Sequence, residues 1–365
     1  MEKQTVSFYS EFQCLMGDCR ESCCQGWEIL LDEKILRYYR SVPGFQGLRL
    51  KLSTFLMREP AFAAGGGKCA FHDCDGLCGL QKKLGEEALP EICRVYPRMR
   101  KNYGILTEEW LDLSCIQAAS LFLAHREELR LIKKAEENPP ERHGNNDDYA
   151  FFALLRSYRE KICLSLGEAA RNPSPEGLNS LFGQLLSFAE LAQSECVKER
   201  YSFFERDINS FSPDRNNSLY PFSPELLGEL MDSGFSHKEL KKKSPFLYGL
   251  CKEYRKSFAG RGKQEELKQF ISEYLEASPE RTRMLIRYYQ YGLLSDYFRI
   301  FEDYSFRRHI LRGIMDVNLL LLLFALFRRK YGEASGEDEA RLLSSCERRT
   351  KHNERVRKTL LARLP

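Results

Sequence analysis

The sequence lacks a dominant charge of either sign. Its 365 residues carry 56 lysines and arginines against 52 aspartates and glutamates, which gives a formal net charge of +4. Such a balance argues against wholesale binding to nucleic acid or to a membrane surface. With 43% hydrophobic and 30% charged residues, the composition is that of a soluble globular protein. We therefore expect neither nucleic acid nor a membrane among its partners.

Long hydrophobic runs are also missing. The longest, VNLLLLLFALF at 317–327, lies between Asp316 and Arg328. A helix needs about 20 apolar residues to cross a membrane, so this run is too short. It predicts a buried core helix.

The sequence motifs of several common enzyme folds are absent. There is no G-x-G-x-x-G after a strand, no P-loop, no nucleophile elbow and no H-E-x-x-H motif. The glycine triplet at 65–67 follows no β-rich segment, so it does not indicate a phosphate-binding loop. These absences exclude a familiar Rossmann-type enzyme.

The first residues, MEKQTVSFYSEFQ, lack the apolar segment of a secretory signal. This predicts a cytoplasmic protein. Because the cytoplasm is reducing, clustered cysteines there are expected to bind metals rather than to form disulfides.

Cysteine itself is abundant, with 13 residues in the chain and nine of them among the first 115. Two runs share the spacing C-x4-C-x3-C, and each cysteine of the first run recurs 55 positions later. Thiolates three to five positions apart can converge as soft ligands for zinc or an iron–sulfur cluster. The candidate metal ligands are Cys14, Cys19, Cys23, Cys24, Cys69, Cys74, Cys78, Cys93 and Cys115.

The sequence does not assign ligands within these nine. They permit one cluster with additional structural thiols, two zinc sites, or one of each, because each kind of centre takes about four thiolates. His72 lies within the second run, where we expect it to support or flank the site rather than to bind the metal. The four remaining cysteines lie singly on helical stretches and are expected in the core or on the surface rather than at a metal site.

The fold class predicted is mainly α. A cysteine-rich metal-binding module is expected over residues 1–137 and a larger α-helical domain over 138–365, with the boundary in the loop-rich stretch 138–148. The groove between two such modules is a common place for a ligand. Asp32 is expected to cap a helix that ends before Pro43. Apolar periodicity predicts helices over 108–130, 149–166, 176–193, 224–231, 267–275, 279–301, 307–331 and 338–364.

A tyrosine-rich segment lies within one of these helices. Tyr288, Tyr289 and Tyr291 could form part of an aromatic wall around a cationic side chain. The alternative interpretation is ordinary core packing.

Several motifs in the first 120 residues occur together in one order. They are C-x4-C-x3-C-C-x-G-W at 14–27, L-C-x-L-Q-x3-G at 77–85, C-R-x-Y-P-R at 93–98 and L-x-L-S-C at 111–115. In this order they resemble the flagellin lysine-N-methylase family (FliB). They resemble, more distantly, the CxxCxxCC family of zinc- or iron-chelating proteins.

The resemblance implies an enzyme that methylates the ε-amine of flagellin lysines with S-adenosylmethionine. It also implies a cysteine-bound iron–sulfur cluster, of the 4Fe-4S kind with zinc as the alternative, near the groove between two domains. Flagellin is then the expected protein partner, and the resemblance says nothing about the oligomeric state.

Amine methylation needs a neutral lysine, whose ordinary pKa is about 10.4, so the site must desolvate the amine or supply a base. In the matching region the candidate catalytic residues are Glu108, with Glu109 beside it, and Tyr96. The alternative role of the two glutamates is charge at the N-terminus of the predicted helix. Arg98 could pair with the cofactor carboxylate through its planar fork, and Trp27 is the second cofactor-binding candidate.

Two other hypotheses stay open. The chain could chelate or sense zinc or iron without catalysis, since thiolate sites are often structural. It could also be a structural zinc module whose helical half docks a partner protein. Binding of S-adenosylmethionine separates the enzyme from both alternatives.

Overall fold

The computed structural model describes residues 2–19, 21–24, 29–55, 61–62, 64–65, 68–135, 146–196, 201–211, 240–241, 244–258 and 262–351. This part of the chain is mainly helical, as predicted, with one four-stranded sheet and two two-stranded sheets. Its helices are α1 Glu33–Ser41, α2 Gly44–Phe55, α3 Gly79–Leu84, α4 Glu91–Val95, α5 Ile116–Ala124, α6 Asn146–Arg171, α7 Pro175–Cys196, α8 Pro245–Phe258, α9 Gln264–Glu276, α10 Pro279–Asp296, α11 Ile300–Asp303, α12 Phe306–Tyr331 and α13 Gly336–Lys351.

The sheet has four strands in the order β6-β7-β1-β8. The central pair is parallel, with Gln4 opposite Glu108, and both outer pairs are antiparallel. Two smaller antiparallel pairs join β2 to β3 and β4 to β5 in the cysteine-rich region. The strands are β1 Glu2–Val6, β2 Ile29–Leu30, β3 Ala61–Phe62, β4 Ala64–Gly65, β5 Lys68–Cys69, β6 Arg98–Asn102, β7 Leu106–Leu111 and β8 Leu131–Ala135.

The helix predicted over 108–130 is wrong for residues 108–115 and 125–130. Residues 106–111 form β7, the helix α5 covers only Ile116–Ala124, and β8 follows. The reason is a hairpin: β6 and β7 are joined by Tyr103, Gly104 and Ile105, and Gly104 has φ +85°. A side chain at Gly104 would also lie 2.9 Å from the Tyr149 ring. A short loop with a left-handed glycine is a hairpin signal that outweighs the apolar period here.

The other helix predictions are confirmed where the structure describes them. Residues 149–166, 176–193, 267–275, 279–301 and 307–331 fall in or largely within α6, α7, α9, α10 and α12. Asp32 caps α1 as predicted, since its Oδ1 accepts the Ile35 N–H at 2.8 Å. The predicted helix 224–231 lies outside the described residues, as does the end of 338–364. Pro245–Phe258 is a helix that sequence reasoning missed.

The apolar run at 317–327 lies within α12 and is buried, which confirms a core helix. Among the described residues, α12 alone is long and apolar enough to cross a membrane, and 89% of its most apolar window is buried inside the fold. The helices α7, α10 and α13 all contact it.

Two separate hydrophobic cores divide the molecule. The small core combines α1 with the cysteine-rich loops and includes Ile35, Tyr39, Phe62, Phe71 and Leu80. The large core contains the helices from α5 onwards together with the main sheet. The sheet and α5 thus share the large core with the long helices, although they belong to the first 135 residues. We call this unit the helical body, and the cysteine-rich loops with the small core the cysteine module. The predicted boundary at 137/138 lies outside the described residues and stays a prediction.

Candidate functional site

The two cysteine runs fold against each other. The Cys69 N–H donates to the Cys24 carbonyl at 2.8 Å, which ties the end of the first run to the start of the second. His72 pairs with Cys78 in an isolated antiparallel bridge. An added Cβ at Gly76 would lie 3.3 Å from the Gly17 carbonyl, so the loops of the two runs also touch. The repeated spacing therefore builds one module.

Four half-buried thiols form the first group in this module. Burial, together with the nearby thiols of Cys24, Cys69 and Cys78, raises the pKa of Cys93 to about 12. Burial likewise raises the pKa of Cys69 to about 11, with contributions from Cys24 and Cys78. A hydrogen bond from Cys23 lowers the pKa of Cys24 to about 7. Neighbouring thiols thus oppose the ionisation of Cys69, Cys78 and Cys93 but not that of Cys24, and a bound cation would stabilise all four as thiolates.

A second group lies beside the last described helix. Burial raises the pKa of Cys115 to about 11, with Cys19 among its neighbours, and Cys19 in turn lies near Cys14. Arg348 of α13 is close to both Cys19 and Cys115. Cys74 is exposed. The structure thus groups the cysteines across the two runs, which spacing alone did not reveal.

The cysteine thiols are of the donor type that zinc and iron–sulfur clusters accept. The Nε2 atom of His72, between Cys69 and Cys74 in sequence, is buried without a hydrogen-bond partner among the described residues. Buried polar atoms are normally satisfied, so this nitrogen lacks the partner that such an atom usually has. Within the described ranges, no three His, Cys, Asp or Glu side chains stand in metal-binding geometry. Of the four cysteines assigned to packing, Cys196, Cys251 and Cys346 are buried, and Cys163 packs against the large core.

Glu108 lies on β7 and not at a helix N-terminus, so the alternative role given to it above is wrong. Its carboxylate is 2% exposed and accepts two hydrogen bonds from Arg159 of α6, one of them at 3.0 Å. Phe298 stacks on the same guanidinium at 3.8 Å. A role as general base stays a prediction, and it would require the loss of this buried ion pair. Glu109 pairs with Lys3 at 2.8 Å.

Tyr96 and Arg98 lie where the cysteine module meets the sheet. The Tyr96 hydroxyl is 2.9 Å from Ser114 Oγ, and burial raises its pKa well above 10, so it is a neutral phenol. Arg98 donates to the Phe12 carbonyl at 2.8 Å and lies over the Phe12 ring. Trp27 lies outside the described residues. The cofactor-binding roles of Arg98 and Trp27 stay predictions.

A second polar site, missed by sequence reasoning, lies in the helical body between α10, α12 and α13. Three carboxylates, Asp296, Asp316 and Glu347, line a cavity of about 20 Å³, which has room for about one water molecule. Two cations, Arg312 and Lys351, face them. The walls thus carry one more negative than positive charge. We call these residues the acidic pocket.

Two of the three tyrosines of the predicted aromatic wall line the acidic pocket. Tyr288 and Tyr289 line it and Tyr297 joins them, whereas Tyr291 turns away and bonds with the Leu111 backbone. Tyr288 donates to Glu347. The hydroxyls of Tyr289 and Tyr297 and the Nδ1 atom of His309 are buried without a partner among the described residues.

Charges in the acidic pocket are strongly coupled. Glu347 is fully buried, and its Oε2 lies 2.7 Å from the Lys351 ammonium. Asp296 pairs with Arg312 at 3.4 Å. Burial raises the pKa of Asp316 to about 7, since Arg312 offsets the desolvation only in part and Glu347 adds repulsion. A carboxylate that titrates near neutral pH can take a proton from an amine.

Helix α13 connects this pocket with the cysteine module. Arg348 Nε donates to the Ser114 carbonyl at 2.8 Å, and its Nη2 donates to the Glu21 carbonyl at 2.6 Å. Arg341 on the same helix pairs with Glu21 at 3.0 Å. One helix therefore supplies Glu347 and Lys351 to the acidic pocket and holds the loop that contains Cys19 and Cys23.

Comparison with known proteins finds relatives that match part of the chain. The chain is 30% identical over 145 residues to the Lysine-N-methylase of Salmonella typhimurium, which is 37% of this chain and 36% of that protein. The Lysine-N-methylase of Salmonella choleraesuis matches to the same extent. The flagellar biosynthetic protein FliU of Salmonella muenchen is 29% identical over 145 residues, 86% of its length.

The match therefore spans 36% of the two lysine-N-methylases. No protein-family model matches the chain. No solved structure matches it either. The similarity to the CxxCxxCC family stays a prediction.

Proposed function

We propose that this protein is a lysine N-methyltransferase that modifies a protein substrate with S-adenosylmethionine. The observation that carries the proposal is the similarity to the two Salmonella lysine-N-methylases over 145 residues. The name of the third relative, a flagellar biosynthetic protein, supports flagellin as the substrate. We expect the reaction in the cytoplasm.

The acidic pocket is the proposed site of the lysine amine. An ammonium group is small and needs several acceptors, and here three carboxylates and the tyrosine hydroxyls lie around one cavity. Aromatic faces add attraction for a cation. Lys351 of the chain itself already places an ammonium 2.7 Å from Glu347, so an ammonium at this position is compatible with the pocket.

Asp316 is the residue proposed to take the proton from the substrate lysine. Its raised pKa of about 7 leaves it able to accept a proton at neutral pH, and the amine lone pair becomes free when the proton has left. Bound S-adenosylmethionine supplies an electrophilic methyl group, whose bond to sulfur breaks as the new bond to the lysine nitrogen forms. Glu347 and Tyr288 hold the remaining positive charge of the methylated amine.

The metal proposed for the cysteine module is an iron–sulfur cluster, with zinc as the alternative. Cys24, Cys69, Cys78 and Cys93 would hold it, since their thiols lie close enough to perturb one another and the orphaned His72 nitrogen lies in the same loop. Such a centre would stabilise a module with a small apolar core. We assign it no step in methyl transfer.

The direct test mixes the purified protein with S-adenosylmethionine and flagellin and detects methyl-lysine in the flagellin by mass spectrometry. We expect methylation by the parent protein and at least a ten-fold slower rate for Asp316→Asn. The matched control is Asp338→Asn on α13, whose amide oxygen can still accept from Ser335. Parent-level activity in Asp316→Asn, or an equal loss in both variants, would remove Asp316 from the mechanism.

A different result would favour the second candidate function. The grouped thiols by themselves are compatible with a protein that chelates or senses zinc or iron. Bound metal, with no binding of S-adenosylmethionine and no methyl-lysine, would support that function and overturn the enzyme.

A further inference from the structure

A second, larger cavity opens where helix α5 meets α9, α10 and α12. Its volume is about 390 Å³, within the range of about 300–1,000 Å³ that small-molecule sites occupy. It does not share a lining residue with the acidic pocket. We call it the arginine pocket.

The walls of the arginine pocket carry an excess of positive charge. Five arginines and three glutamates line it. Glu333 is shared by Arg281, at 2.9 Å, and Arg328, at 2.5 Å. Glu280 pairs with Arg283. These ion pairs neutralise only part of the charge, and the pocket keeps two more cations than anions.

Arg287 is a buried cation in the wall of the arginine pocket. The residue is 8% exposed, and its Nη2 donates to the His125 carbonyl. Among the described residues its Nε has no hydrogen-bond partner and no carboxylate lies within ion-pair distance of it, and the nearby Glu280 is opposed by Arg126 and Arg283. A buried guanidinium without a counterion is costly, so its persistence indicates an anion that the pocket receives.

Apart from Ser278, the rest of the wall is apolar or aromatic. Phe122 and Phe324 are both nearly fully buried and line the pocket with Met284. The Arg287 guanidinium lies 5.5 Å from the centre of the Phe122 ring. An anionic group near Arg287 would therefore be continuous with a surface that accepts a flat apolar group.

We propose that the arginine pocket binds a small organic anion in which a carboxylate or a phosphate monoester is attached to a flat ring system. The planar fork of Arg287 matches either anion in a bidentate manner. S-adenosylmethionine, which has a net positive charge, is disfavoured by the cationic surplus of the pocket. The proposal is independent of the methyltransferase assignment.

The test measures binding by titration calorimetry with two anionic probes and their neutral parents. Adenosine 5′-monophosphate tests the phosphate, and indole-3-acetate tests the carboxylate. Adenosine and indole are the matched compounds without the anion. We expect at least one anionic probe to bind and its neutral parent to bind at least ten-fold more weakly. Equal binding of each anion and its parent would overturn the proposal.

Variants locate the site. Arg287→Gln should weaken the better probe at least ten-fold, whereas Arg130→Gln, an exposed arginine outside the pocket, should not change it. Because Arg287 also bonds with His125, its variant could lose structure, and thermal unfolding will show this. Arg126→Gln at the exposed rim then serves instead, with at least a three-fold loss expected. Binding unchanged in Arg126→Gln and in a folded Arg287→Gln would contradict the assignment, as would no binding of either probe.

Discussion

The cysteine module and the helical body differ in how much buried apolar surface and regular secondary structure can stabilise them. The body contains long helices, with 26 residues each in α6 and α12, and packs them around the large core. The strands β2 to β5 of the module have two residues each, and its core is small. A core of that size rarely suffices without a disulfide or a metal. The cysteines are all free thiols, and the metal proposed above would supply the stabilisation that disulfides do not.

The largest expected effect tests whether the helical body is stable through its own buried interactions. Arg159→Met leaves the Glu108 carboxylate buried without its partner, so we expect the free energy of unfolding to fall by about 3–5 kcal/mol. Urea denaturation measures it.

The matched control is the double variant Glu108→Gln with Arg159→Met, which removes both charges. It should recover most of the loss, because burying a neutral amide costs less than burying a lone carboxylate. If the single and double variants are equally unstable, the ion pair is not the cause. Metal content should stay at the parent level in both, since neither residue lies in the small core.

The second-largest expected effect is a pH dependence of the free energy of unfolding that arises from Asp316 in the helical body. Asp316 has a pKa of about 7 when folded and about 3.9 when unfolded, so the folded state holds the extra proton between these values. Its contribution therefore makes stability fall as pH rises from about 4 to 7, by about 4 kcal/mol in total.

Asp316→Asn should remove that contribution and stabilise the protein at pH 8 relative to the parent, as measured by urea denaturation at both ends of the range. Asp338→Asn is the control and should keep the parent's profile. A parent-like pH profile in Asp316→Asn would show that another group is responsible.

The smallest effect concerns the contact between the sheet and the helices. The Tyr291 hydroxyl donates to the Leu111 carbonyl at 2.6 Å and accepts the Leu111 N–H at 3.0 Å. Tyr291→Phe should lower the free energy of unfolding by about 1–3 kcal/mol, because two buried backbone groups lose their partner. Tyr331→Phe, at an exposed position, is the control and should leave it unchanged. Equal stability of both variants would show that the backbone groups find other partners.

Sequence patterns predicted the body better than the module. Apolar periodicity is a local property, so it located α6, α7, α9, α10 and α12. The Asp32 cap is local too. The same method extended a helix across β7, because a strand is stabilised by partners outside its own segment, here β1 at the start of the chain and β6 across the hairpin loop.

The candidate site was predictable only in part for the same reason. Spacing identified the cysteines, but their grouping depends on how the two runs fold together, as the bond from Cys69 to Cys24 shows. The acidic pocket combines Asp296, Asp316 and Glu347 from three helices, and no spacing in the sequence marks them as neighbours. The tyrosine segment was the one local signal for it.

Metal content is the measurement that tests the central comparison most directly. Iron, zinc and acid-labile sulfide are determined on protein purified without oxygen, for the parent, Cys93→Ser and Cys251→Ser. The account predicts bound metal in the parent and in Cys251→Ser, whose thiol is buried in the large core, and its loss in Cys93→Ser. Iron with matching sulfide would indicate a cluster, and zinc alone a structural site. A parent protein without metal, or equal metal in all three, would contradict the account.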